Sequence, residues 1–245
     1  MLKPLKIILT LIVIAPTLCT GQDSQRKTPL LDSAVQNAYA IYSSSIGGNS
    51  HLLNGVEYKD YDIHSYDIGH PYFISDDWEY GTINYDKQVY HNVDIMYNIV
   101  RDKVIIDQPQ GHFKLELIDE HLASFTLQGH NFVRLVKDST ADIRTGYYDL
   151  LYDGKTKVYA KRRKEIQENL SSRTVISEYN ERDIYYIYKN GKYFTVRSKP
   201  AVLKVFVERK TMLRKHLSKL KIRFKKNKDL VLVESAKFYD ESEKL

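Results

Sequence analysis

Residues 184–197 read IYYIYKNGKYFTVR. Two runs rich in β-branched and aromatic side chains flank Asn190-Gly191, and that dipeptide supplies the positive φ angles of a tight hairpin. Upstream, YYDLLYDGKTKVYAKR (147–162) repeats the pattern around Asp153-Gly154 and predicts a second hairpin. FTLQGHNFVRLV (125–136) gives two short strands around Gly129. Val93, Ile95, Tyr97 and Ile99 alternate with Asp94, Met96 and Asn98, the period of a half-buried strand, and VRDKV turns the chain into Val104–Ile106. Phe113, Leu115 and Leu117 alternate with His112, Lys114 and Glu116. The stretch KRRKEIQENLSSR (161–173) reads as a polar connector, a long loop or one helical turn.

The period changes at both ends. Pro200 suits a first helical turn, Leu203 and Phe206 begin an apolar stripe, and Leu213, Leu217 and Leu220 continue it inward. Asp229 is placed to cap a last helix carrying Leu232, Ala236 and Tyr239, with Leu230 and Val233 beside them. LLDSAVQNAYAIYSS (30–44) predicts a short helix capped by Asp32 or Ser33. Roughly ten strands followed by two or three helices predict an α+β fold: a mainly antiparallel, strongly twisted or partly closed sheet meander, with a short N-terminal helix and a helical end. The expected boundaries are a leader at 1–21, a linker and short helix at 22–50, a β-rich domain at 51–198, and a basic helical segment at 199–245.

The leader is read from Lys3 and Lys6, the apolar run Ile7–Ala15 and the small residues of LCTG, the pattern of a secretory signal too short to span a bilayer. Export to the periplasm or cell envelope follows. Cys19 is the single cysteine; Leu18 before it does not suit lipid attachment, so the thiol leaves with the leader. No later stretch approaches 18 apolar residues, so no transmembrane helix is expected.

Charge is segregated. Without Lys3 and Lys6 the chain carries 35 basic and 31 acidic side chains, a net of +4. Residues 199–228 hold twelve Lys/Arg and only Glu208 as an acid, a net of +11, so the remainder carries −7. Arg209, Lys210, Arg214, Lys215, Lys219 and Arg223 are the candidate contacts of that segment for an anion: lipid head groups, acidic polysaccharide or an acidic protein. Nucleic acid does not fit an exported chain.

The order of the stretches LLNGVEYKDY, GHPYF, YGTINYDKQVYHNVDIMYNIVRDKVII and GYYDLLYDGKTKVYAKRRKE resembles a family of uncharacterised exported proteins of Gram-negative bacteria. The likeness runs from about Leu52 to Tyr239. It implies an envelope location and a β-rich body with a helical end, and it implies no chemistry.

Catalytic patterns are not found. His64, Asp67 and His70 recur every third residue, but Gly69 and Pro71 end any helix there, and on a strand Asp67 faces away from the two imidazoles; no metal site is expected. There is no G-x-S-x-G, no phosphate-binding glycine loop and no HExxH. The most site-like stretch is GHPYFISDDW, where Tyr72, Asp76, Asp77 and Trp78 gather aromatics and acids that could grip a sugar ring; a core corner is the favoured reading of them. Of 20 tyrosines, Tyr147, Tyr148, Tyr159, Tyr185, Tyr186 and others lie in strands, suiting the wet or ligand-binding face of a sheet. Lys114 and Glu116 on the second face of their strand, and a charged helical stretch at 199–241 in place of a closing strand, argue against an outer-membrane barrel.

Three readings of function remain. The first is a non-enzymatic envelope protein, without catalytic residue or cofactor, whose basic end meets an anionic surface or partner. The second is a carbohydrate-acting hydrolase using carboxylates near Trp78. The third is a β module whose tyrosine-bearing sheet encloses a small ligand.

Overall fold

A computed structural model describes residues 50–60, 67–108, 113–137, 143–171 and 174–242. Every described residue lies in one unit, within 46–245. The strands are β1 Val56–Glu57, β2 Glu79–Tyr85, β3 Gln88–Asn98, β4 Lys103–Gln108, β5 Phe113–Glu116, β6 Leu122–Leu127 and β7 His130–Leu135. They continue as β8 Gly146–Asp153, β9 Lys157–Lys161, β10 Lys164–Ser171, β11 Thr174–Glu181, β12 Ile184–Lys189 and β13 Lys192–Val196. The helices are α1 Lys199–Val205, α2 Lys210–Lys219 and α3 Lys228–Ser242.

Asn190 and Gly191 lie at φ 50° and 76° and join Lys189 to Lys192 in a two-residue turn. Eleven strands form one antiparallel sheet in the order β1-β5-β4-β3-β2-β6-β7-β8-β9-β12-β13. β10 and β11 pair separately as a hairpin. That hairpin touches the loop before β2, where Ile68 bridges Glu178 and the Lys164 ammonium donates to the carbonyls of His70 and Tyr72.

The sheet curls because of one short link. β5 and β6 are separated by three strands yet joined by residues 117–121, which contain a turn (His121 N–H to Ile118 C=O, 3.1 Å). On a flat sheet the link would cross four strand spacings, about 19 Å. The six Cα steps from Glu116 to Leu122 reach that far only when nearly fully extended, at about 3.3–3.6 Å each. Register shifts at Gly81/Ile83 and Asn84/Tyr85 supply the curvature. Inside the curl, Tyr97, Phe125, Phe132 and Tyr147 are fully buried and meet edge to face or stacked at 4.8–6.1 Å.

The helices cover one face of the last strands. Val158 and Ala160 of β9, Tyr185 and Ile187 of β12 and Val196 of β13 bury their side chains with Phe206, Leu213, Leu217, Leu232 and Tyr239. Ser198 caps α1 through its Oγ, which accepts from the Ala201 N–H, and Pro200 sits in the first turn. The other face carries Tyr148, Tyr159 and Tyr186, with Ile143 laid across them.

Several expectations need correction. The class is mostly antiparallel β, not α+β: thirteen strands dominate the described residues, and the three helices close one face of the terminal strands. The connector 161–173 is largely strand, because β10 and β11 satisfy each other's backbone without needing an apolar face. At Asp153-Gly154 the loop spans three residues, and Gly154 is needed for a close approach: a Cβ there would meet Asp240 Oδ2 at 2.5 Å. Leu220 is 41% exposed, not part of the buried stripe. Met96 and Asn98 are buried, so β3 is covered on both faces at its end. The predicted leader, Cys19, the helix at 30–44 and His64 lie outside the described residues. No helix among the described residues is long and apolar enough to cross a membrane.

Candidate functional site

Antiparallel alternation gathers four strand ends at one rim. The starts of β8 and β12 and the ends of β9 and β13 meet there, with Lys161 opposite Ile184 and Tyr185 opposite Val196. Period two then sets Lys161 and Arg163 on one face, beside Ile184 and Tyr186, and beside Thr195 and Arg197. The segment before β8 adds Lys137, Ile143 and Arg144. Together they line a cavity of about 480 Å³. Its floor is the buried aromatic and aliphatic layer of Ile143, Tyr148 and Tyr186.

The lining holds five cations against one carboxylate, Asp102. Two of the cations are spoken for. The Lys161 ammonium donates to Asp102 at 2.5 Å and to the Tyr147 carbonyl at 3.0 Å, while Arg163 pairs with Glu165. Burial depresses Lys161 below the ordinary lysine range, against the pull of Asp102. Lys137, Arg144 and Arg197 are exposed and make no ion pair among the described residues. Three exposed charges over an aromatic floor can hold an anion that has an apolar or aromatic body.

Asp102 fixes this geometry. It sits at φ 62° in the β3–β4 turn, accepts from the Tyr97 hydroxyl at 2.5 Å and draws that turn against β9 through Lys161. Gly146, at φ 151°, leaves room for both groups, since a Cβ would overlap the Asp102 carboxylate and lie 2.7 Å from the Lys161 ammonium.

On the helix-covered side, Arg162 ties the layers together. Its guanidinium donates from Nε and Nη2 to Asp149 Oδ2 (2.9 and 2.7 Å), from Nη1 to Asp183 (2.7 Å) and from Nη2 to Asp229 (2.6 Å). His130 Nδ1 lies 2.7 Å from Asp149 Oδ2, and the Tyr185 hydroxyl donates to Asp229 at 2.7 Å. Asp229 therefore anchors the first turn of α3 to the sheet through Arg162 and Tyr185. A neighbouring cleft of about 590 Å³ lies over Asp183, Asp229 and Lys225–Leu230, but Asp183 and Asp229 are already held by Arg162.

A pH dependence follows. Burial pushes the Asp229 carboxyl up, yet the hydrogen bonds from Arg162 and Tyr185 prevail and hold it below its ordinary value of 3.8. A depressed folded pKa adds stability that is complete above about pH 4 and is lost as pH falls through the folded value. Asp229→Asn is expected to flatten the slope of unfolding free energy between about pH 4 and pH 2. Urea unfolding at stepped pH measures it, and an unchanged slope would remove Asp229 from the account.

The residues singled out in the sequence fall in three places. Lys210, Arg214, Lys215, Lys219 and Arg223 are exposed on or after α2, away from Leu213 and Leu217, and Arg209 donates to the Ser242 carbonyl. None of the six lines the cationic cavity. Tyr72 is buried with Tyr58, Met96 and Ile105, and Trp78 packs against that group as a core corner; Tyr72 donates to Asp60 at 2.6 Å. Asp76 and Asp77 are exposed, Asp77 in a turn with Ser75, and neither lines a cavity described here. Asp67 accepts from the Ser177 N–H, and His70 Nδ1 accepts from the Tyr72 N–H, so each is engaged locally. Sequence reasoning missed Lys137, Arg144, Arg163 and Arg197. The available signal was the run Tyr159, Lys161, Arg163, an aromatic followed by cations at strand period. Comparison with family models, with curated proteins and with solved structures gave no match to this chain.

Proposed function

We propose that this is an exported, non-enzymatic binding protein of the bacterial envelope, which holds an anionic component on the tyrosine face of its sheet. The observation that carries the reading is the cluster of Lys137, Arg144 and Arg197 over Tyr148, Tyr186 and Ile143. The cations supply charge-assisted contacts, and the floor supplies apolar area for the body of the ligand. The leader-like start of the chain and the resemblance to exported Gram-negative proteins support the location. The exposed cations of α2 act at longer range, raising the local concentration of anions, an effect that salt screens.

The test uses 1-anilinonaphthalene-8-sulfonate, an aromatic anion whose fluorescence rises on binding, followed by displacement with inorganic phosphate, anionic lipid micelles or acidic polysaccharide. Arg144→Glu/Arg197→Glu is expected to weaken binding of the dye by about tenfold or more, the loss of one or two charged contacts. Reversing Lys210, Arg214, Lys215 and Lys219 should leave dye affinity within about twofold and abolish low-salt attachment to anionic vesicles. If the α2 reversal abolishes dye binding and the cavity reversal does not, the cavity is not the site.

A further inference from the structure

β13 ends the eleven-stranded sheet, and among the described residues nothing pairs with its outer edge. The two-residue turn makes Lys189 and Lys192 the first hydrogen-bonded pair, so alternation makes Ile187 and Phe194 the next. The main-chain N–H and C=O groups of Tyr193 and Thr195 then point away from the sheet. An open edge of this kind is a template for another strand.

What borders the edge gives the partner's chemistry. Alongside it runs a groove of about 840 Å³ between β13 and α1. Its apolar wall is Phe194, Ala201, Val205 and Val207, with Phe194 36% and Val207 63% exposed. Lys192 and Lys204 flank that wall, exposed and without an ion pair among the described residues. The third lysine of the groove, Lys189, is neutralised by Glu208 at 2.8 Å. A second copy brings these lysines no carboxylate, because antiparallel self-pairing centred on Phe194 sets Lys192 of one copy against Val196 of the other and β13 carries no acidic side chain.

We infer that the β13 edge takes an extended acidic segment of another polypeptide by strand addition, its backbone pairing with Tyr193 and Thr195, and its groove-facing side chains, every second residue, alternating between apolar groups on Phe194 and Val207 and carboxylates on Lys192 and Lys204. This goes beyond the anion cavity, from which both lysines are absent.

The experiment measures anisotropy of a short labelled Glu-Val peptide of repeat Val-Thr-Glu-Thr, whose groove-facing alternate residues are Val and Glu in turn, on the full-length protein. Two control peptides are the same sequence N-methylated at every residue and the same sequence with Lys in place of Glu. The Glu-Val peptide is expected to bind, and both controls to bind at least about tenfold more weakly. Lys192→Glu/Lys204→Glu should cost about tenfold for the Glu-Val peptide while leaving the dye of the cavity in place. Thr195→Pro, which removes an outward N–H and no ladder bond, should abolish peptide binding. The N-methylated control needs no variant, so a misfolded Thr195→Pro protein does not blunt the test. The inference is overturned if the Glu-Val peptide fails to bind, or binds equally when N-methylated. It is also overturned if sedimentation shows a dimer that Thr195→Pro dissolves, since the edge is then taken by a second copy.

Discussion

Arg162→Ala is expected to lower the free energy of unfolding by about 3–5 kcal/mol, the cost of leaving one partner of a buried ion pair behind. The reason lies in Asp149. Asp183 and Asp229 keep some access to water, at 18% and 41% side-chain exposure, but Asp149 has 2% and receives both Nε and Nη2 of Arg162. Without the guanidinium its charge has only His130 beside it. Arg162→Lys should recover part of the loss, because an ammonium keeps the charge and loses the fork that spans three carboxylates. Asp149→Asn in the Arg162→Ala background should recover more than the same change costs alone, since it removes the stranded charge. Denaturant unfolding of the wild type and the four variants decides it. A loss below about 1 kcal/mol for Arg162→Ala would mean that the pair behaves as a surface salt bridge.

Gly146→Ala should be nearly as damaging and should act at a distance. The new methyl would occupy the space of the Asp102 carboxylate and crowd Lys161, and its backbone φ of 151° is unfavourable for any L side chain. Asp102 also holds the Tyr97 hydroxyl in the aromatic core, so the shift reaches both the core and the cavity wall. The expected outcome is a stability loss of about 3 kcal/mol or more, from strain plus a disrupted buried pair. Dye binding in the cavity should fall together with stability. Gly191→Ala is the matched comparison: at φ 76° it carries backbone strain but nothing lies within 4 Å of the added methyl, so it should cost about 1–2 kcal/mol and leave the cavity intact. Equal effects of the two substitutions would show that backbone strain, and not the Asp102–Lys161 contact, sets the cost.

Local chemistry carried much of the fold into the sequence. The Asn190-Gly191 turn follows from two residues that tolerate positive φ, and Ser198-Lys199-Pro200 opens α1 as its cap and first turn require. The alternation at Val93–Ile99 marks β3, although burial of Met96 and Asn98 on the second face depends on strands that the alternation cannot see. β10 and β11 escaped because their side chains offer no apolar period; only the pairing of one strand with the other reveals them.

The candidate site was legible in composition and illegible in place. The strand tyrosines named from the sequence include Tyr148 and Tyr186, which do floor the cavity. The cations above them come from three distant stretches, around 137–144, 161–163 and 197, and no window of sequence holds all three. The denser basic run of 199–228 drew attention because charge counts are local, while a binding site is assembled by proximity in space.

By itself, then, the chain determines its turns, its strand periods and the apolar stripes of its terminal helices, all set by torsional preference and side-chain alternation within a few residues. Tertiary structure alone decides that a five-residue link bends the sheet around Tyr97 and Phe132, that Asp229 in the first turn of α3 also receives Arg162 from the sheet, and that separated cations converge on one rim. Those outcomes depend on which strands become neighbours, a choice made by burying aromatic area and compensating charge between residues far apart along the chain.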